Sequence, residues 1–198
     1  MHARTAIPCA VLAVSAVLTA AGCGTPSTGA DARAAHGTTT GSDWSRARSY
    51  ASTKELAQDS SAIIVGRVSA QRVVRDVDDS TDFTLSTVIV DRALQGKPAS
   101  TVVVRQVGSK AQQAPAALMR TGSTYLLYLT DSGLKGDLAS QYYVTGGDAG
   151  LYGDPSAAGA GPGSRAATAE TPPSSFQQLS PDPIDKLPAQ VSASTAVG

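Results

Sequence analysis

A chain of 198 residues with 16 basic and 16 acidic side chains, two cysteines and two histidines excludes several kinds of function before any motif is read. Balanced charge leaves no basic field to favour nucleic acid, and once the low-complexity ends are set aside the length suits one domain. His2, Cys9, Cys23 and His36 all precede Trp44, near which folding is expected to begin, so the domain has no internal disulfide, His base, Cys nucleophile, Ser-His-Asp triad or zinc site of the usual ligands.

Residues 1–22 have the three parts of an export signal: Arg4 at a basic start, an apolar middle from Ala6 to Val17, and small residues before a cut. The middle is shorter than the roughly 20 apolar residues of a spanning helix, and Pro8 interrupts it. Ala20, Ala21 and Gly22 before Cys23 resemble the lipobox of bacterial lipoproteins. The resemblance implies cleavage between Gly22 and Cys23, a diacylglycerol thioether on Cys23 with palmitate-type chains, and a protein held on the extracytoplasmic face of the cell membrane. One departure is Ala20, where that family usually has Leu; here Leu18 lies two residues earlier. The other reading is ordinary secretion with a cut near Ala20 or Ala21, which leaves Cys23 a free thiol. Acyl chains contribute about 0.8 kcal/mol per buried methylene, and two hold a protein at a membrane persistently where one does not.

Residues 23–43 are small and polar without apolar periodicity and are expected to form a flexible tether with a reach of roughly 25 Å. The domain is expected over 44–152. Ser52-Thr53-Lys54-Glu55 is a capping box opening a helix of about two turns, with Leu56 and Ala57 inward. Ser61 to Val68 predicts a strand with a bulge at Gly66, continuing through Val73 and Val74 to an acidic turn, Asp76 to Asp82. The return strand, Phe83 to Asp91, places Phe83, Leu85 and Ile89 on one face and Val88 and Val90 on the other. Leu94 to Pro98 predicts a turn, Thr101 to Val107 a third strand ended by Gly108, and Pro115 to Met119 a helical turn. Tyr125 to Leu129 predicts a strand buried on both faces, and Gln141 to Thr145 a fifth strand closed by Gly146-Gly147.

Five short strands without long helical crossovers predict an all-β class: a small five-stranded OB-like barrel with one short N-terminal helix, flanked by disordered segments. The bent strand Ile63 to Val68, Val88-Ile89-Val90 before Leu94-Gln95-Gly96, Gly122 to Leu129, and Tyr143-Val144-Thr145-Gly146-Gly147 together resemble the netrin-like and tissue-inhibitor-of-metalloproteinase OB-fold module over roughly residues 55 to 150. The resemblance implies the barrel. It does not extend to inhibition, because the animal module is held by disulfides and its inhibitors use a free N-terminal cysteine on the domain, whereas Cys23 lies some 20 residues away.

Residues 153–198 carry seven of the eleven prolines and are expected to be a disordered Pro/Ala/Gly/Ser-rich tail. Phe176, Leu179, Ile184 and Leu187 are the exceptions that would allow docking.

Candidate chemistry is sparse. Asp76, Asp78, Asp79 and Asp82 superficially resemble a calcium loop, but Thr81 stands where an EF-hand needs Gly and Thr87 where it needs the bidentate Glu; a solvated hairpin tip is the expectation. Tyr125, Tyr128, Tyr142 and Tyr143 are expected to pack in the core or an interface, with a ligand groove as the other reading. Arg67 and Arg105 are expected on an exposed face, with contact to anionic wall polymers as the other reading. No nucleophile elbow, Ser-x-x-Lys, phosphate loop or dinucleotide fingerprint occurs. The sequence therefore predicts no catalytic residues, metal or cofactor and no nucleic-acid partner. It predicts a monomeric, lipid-anchored, non-enzymatic binding protein for an envelope protein or cell-wall polymer, its ligand-binding residues unknown. The alternative is a carboxylate-dependent envelope hydrolase using Asp131, Asp137 and Asp148.

Overall fold

The computed structural model describes residues 48–112, 114–155 and 173–197. The expected signal, Gly22, Cys23 and the tether lie outside them.

The chain enters through Tyr50 into helix α1 (Thr53–Gln58), where the Ser52 side chain accepts from the Glu55 amide at 3.3 Å. Glu55 reaches back one residue beyond the expected position, to the Ala51 amide at 2.9 Å. Leu56 and Ala57 are buried, as the pattern predicts.

Strand β1 (Ala62–Val74) pairs antiparallel with β2 (Phe83–Gln95), and the register slips between Val65 and Gly66, where the sequence predicts a bulge. The cause is crowding: a β-carbon at Gly66 would lie 2.7 Å from both the Ile89 carbonyl oxygen and Val88 Cγ1. Gly66→Ala is therefore expected to destabilise the domain by about 1–3 kcal/mol, read as a lower urea midpoint with unchanged slope. Strand β2 runs four residues past its expected end, to Gln95, because that glutamine's amide donates to the Ala57 and Ser60 carbonyls, both at 2.9 Å, and ties the strand end to α1. Gly96, with φ of 79°, makes the turn.

Strand β3 (Thr101–Val107) lies beside β2, and β4 (Thr124–Asp131) returns to pair with β1. Residues 115–119 form no helical turn. Their backbone is held instead by Gln106, whose amide nitrogen donates to the Ala117 carbonyl at 3.0 Å and whose oxygen accepts from the Met119 amide at 2.9 Å. After a single 3-10 turn (Gly136–Ser140), β5 (Tyr142–Val144) inserts between β3, to which it is parallel, and β4. The circuit β1-β2-β3-β5-β4 closes back on β1. Over the described residues the protein is all-β with one short α-helix, and its centre is a closed five-stranded, OB-like barrel.

Alternation along the strands builds two cores. Ile64, Val68, Val88, Val102, Val104, Tyr125, Leu127, Leu129 and Val144 fill the lumen. On the outside of β1 and β4, Ile63, Val65, Leu126 and Tyr128 meet Leu56 of α1 in a second layer. Strand β4 is thus buried on both faces, as its composition predicts.

The tail completes that second layer, which corrects the expected disorder over 153–198 within the described residues. Strand β6 (Leu151–Gly153) extends the sheet beyond β4, and β7 (Ser175–Gln178) and β8 (Gln190–Ser192) continue it. Phe176, 0% exposed, joins the cluster with Val191 and Ala196. The Tyr128 hydroxyl donates to the Ala196 carbonyl at 2.8 Å. The reason is local: a few apolar residues placed to meet one exposed apolar face offset the ordering of their segment, even where average composition does not. Leu179 and Leu187 pack partly against the two cores, whereas Ile184 stays 72% exposed.

Candidate functional site

A groove of about 510 Å³ lies beside the β3–β5 seam. Val107 and Val144 on the strands, Pro115 and Leu118 on the connecting loop, and Tyr50 and Tyr143 give it apolar and aromatic walls; Arg48, Arg105, Asp148 and Asp182 add charge of both signs. The Gly146-Gly147 turn, with φ of 67° and 72°, also lines it. A β-carbon at Gly146 would stand 2.6 Å from the Tyr50 ring, so the glycine lets the entering chain close against β5.

The tail builds part of the wall. Ser180 Oγ accepts from the Ala117 amide at 3.1 Å, Tyr50 donates its amide to Asp185 Oδ1 at 2.8 Å, and the Lys186 amide returns a bond to the Tyr50 carbonyl at 2.9 Å. Arg48 crosses the Tyr50 ring at 5.6 Å and donates to Asp59 at 2.7 Å.

Arg105 is the chemical centre. Its position on a barrel strand predicts an exposed face; its side chain is instead 0% exposed. Nη1 and Nη2 donate to the two oxygens of Asp76 at 2.7 and 2.8 Å, Nε donates to Gln141 Oε1 at 2.9 Å, and the guanidinium lies 4.9 Å from the Phe83 ring centre. Every feature a buried cation needs is supplied: a counter-charge, a polar partner and an aromatic face. Arg67 is exposed, as expected.

The acidic turn is correspondingly less free than a solvated tip. Asp76 is taken by Arg105, and buried Asp82 accepts from Ser109 Oγ and Arg75 Nε, both at 2.6 Å. Asp78 caps its own turn, accepting from the Ser80 amide and hydroxyl and the Thr81 amide; Asp79 is exposed. Among the described residues no three His, Cys, Asp or Glu side chains are grouped to hold a metal ion.

These bonds set the response to acid. The Arg105 fork lowers the Asp76 carboxyl below its usual range, Ser109 and then Arg75 lower Asp82, and the Ser80 hydroxyl and amide hold Asp78 at about 2. A depressed folded-state value stabilises the fold above the unfolded-state value, about 3.9, and that contribution is lost as pH falls through the folded values. The thermal midpoint is therefore expected to be level from pH 7 to 5 and to fall below about pH 4. Asp76→Asn should remove part of that fall in a melting series from pH 5 to 2.

The tyrosines divide. Tyr125 belongs to the lumen, and its hydroxyl accepts from the Arg120 amide at 2.8 Å. Tyr128 and Tyr152 lie in the outer layer with ring centres 6.0 Å apart, and burial raises both phenols. Tyr142 packs partly against the lumen, and Tyr143 joins Tyr50 in lining the groove. Of the three aspartates considered for hydrolysis, Asp131 and Asp137 are exposed and Asp148 lines the groove. Asp131 accepts from Ser61 Oγ at 3.1 Å. The sequence reading missed Arg48, Tyr50, Leu118 and Asp182, which come together only because the tail docks; the signal for that was Phe176.

No protein-family model matches the chain, and no curated sequence matches it significantly.

Proposed function

We propose that this is a lipid-anchored envelope protein of non-enzymatic type, whose OB-like barrel presents the β3–β5 groove to an envelope protein or cell-wall polymer. The observation that supports it is a groove of size ordinary for ligand sites, with mixed charge and aromatic walls, at the place where the chain arrives from the Cys23 side: Arg48 and Tyr50, the first described residues, line it. The lipobox-like Ala20-Ala21-Gly22-Cys23 supplies the address.

The address is tested by Cys23→Ser. The native protein should partition with membranes and yield an N-terminal peptide bearing acyl mass on Cys23. The variant should appear in the soluble fraction; an unmodified native terminus would remove the anchor. The binding reading is tested by retention of envelope components on the immobilised protein, reduced by Leu118→Asp. Background retention together with measurable turnover would remove it.

A second reading, a carboxylate-dependent hydrolase, draws on Asp148 and Asp182 lining the same groove. It requires that Asp148→Asn and Asp182→Asn each abolish a turnover shown by the parent.

A further inference from the structure

We propose that Arg105 is a carboxylate-recognition centre held shut by Asp76, and that the free C-terminal carboxylate of a peptide with an apolar last residue binds by taking the place of Asp76. This rests on the binding reading above and names the ligand class of that groove.

The Arg105 guanidinium is preset. Gln141 holds Nε from one side and Phe83 lies against the plane, and neither contact involves Asp76. Nη1 and Nη2 already serve one carboxylate through both of its oxygens, the fork geometry in which Arg recognises such groups. The present occupant comes from outside the barrel. Asp76 sits on the exposed turn between β1 and β2, and its side chain is 30% exposed although its partner is wholly buried. The base of the turn is closed by Arg75, the residue before Asp76, and by Ser109, both bonded to Asp82, while Asp76 itself is tied by its side chain to Arg105.

Charge balance decides the mode of binding. A buried guanidinium left alone is strongly destabilising, so the fork does not stand empty. Exchange of one carboxylate for another keeps it paired throughout and requires the Asp76 side chain to swing out into solvent while Arg75 beside it stays bonded to Asp82. A neutral or cationic group in that place would leave the guanidinium without its counter-charge.

The walls decide the rest of the ligand. Arg105 shares the groove with Val107, Pro115, Leu118 and Val144. A peptide C-terminus carries a carboxylate and an apolar side chain on the same carbon, which matches a buried cation beside an apolar wall. A sugar acid would set hydroxyls against those same side chains. Capture of a terminal carboxylate is an established mode of peptide recognition.

The test titrates the purified full chain with N-acetyl-glycyl-leucine as free acid and as amide, following the Arg105 Nε–H resonance and the heat of binding. The parent should bind the acid weakly and the amide not at all. Asp76→Asn, which removes the internal competitor's charge, should bind the acid about tenfold more tightly, and Arg105→Met should bind neither. Equal affinity for acid and amide overturns the proposal, as does an Asp76→Asn variant that folds but binds no more tightly. Tighter binding of glucuronate than of the peptide acid overturns the assignment to a peptide. If Asp76→Asn fails to fold, the parent decides: an Arg105 resonance unmoved by the acid overturns the proposal. Retention of envelope components without any acid binding removes this assignment and leaves the binding reading; loss of both removes both.

Discussion

Phe176→Ala is expected to destabilise the domain by about 3–5 kcal/mol, in a segment whose composition predicts disorder. Phe176 is 0% exposed and lies among Ile63, Val65, Leu126 and Tyr128, side chains of the barrel's own strands. Truncation removes its transfer free energy and leaves a cavity between the tail and β1 and β4. The control is Ile184→Ala, eight residues away, 72% exposed and expected to change stability by no more than about 0.5 kcal/mol. Urea unfolding of the two variants checks the pair. A Phe176→Ala midpoint within error of the parent would mean that the tail does not pack in solution as described.

The second large effect is an asymmetry. Asp76→Ala leaves the Arg105 guanidinium buried without its counter-charge, and breaking a buried pair from that side is expected to cost about 3 kcal/mol, the low end of the range because water reaches the Asp76 position. Arg105→Met removes the buried charge itself. Asp76, with 30% of its side chain already in solvent, then rehydrates, while methionine fills much of the vacated volume against Phe83. That variant is expected to cost less than about 1.5 kcal/mol. Both substitutions delete the same salt bridge, so equal losses would show that the bridge, not the desolvated cation, sets the stability. Thermal and urea unfolding at pH 7 separate the outcomes.

What the sequence disclosed is what local chemistry decides. Ser52 and Glu55 mark the helix start, Gly66 marks the bulge, and the apolar run Tyr125 to Leu129 marks a strand with a core on each side. The barrel follows from five such strands. The groove was not legible, since its walls are joined by contacts between distant segments: Tyr50 with Asp185, Ala117 with Ser180, Arg105 with Asp76. Nor did Arg105 show its burial. An arginine on an alternating strand predicts an outward side chain, which is its direction here; a turn 29 residues away in sequence folds over it. The missed tail had a different cause, because averaging over 46 residues from 153 to 198 dilutes the few apolar side chains that dock.

The pairing of Tyr50 with Asp185 and Lys186 also fixes how the molecule carries a mechanical load. A pull on the chain ahead of Arg48, the direction from which a membrane attachment through Cys23 would act, meets the Arg48–Asp59 bridge and the two Tyr50 bonds before any barrel strand. Tension would thereby be shared with the C-terminal segment and α1, the first elements it meets ahead of the closed ring of β1-β2-β3-β5-β4. Because Tyr50 also lines the groove, the same tension would deform the groove first, so occupancy of the groove and strain on the attachment would be mechanically linked.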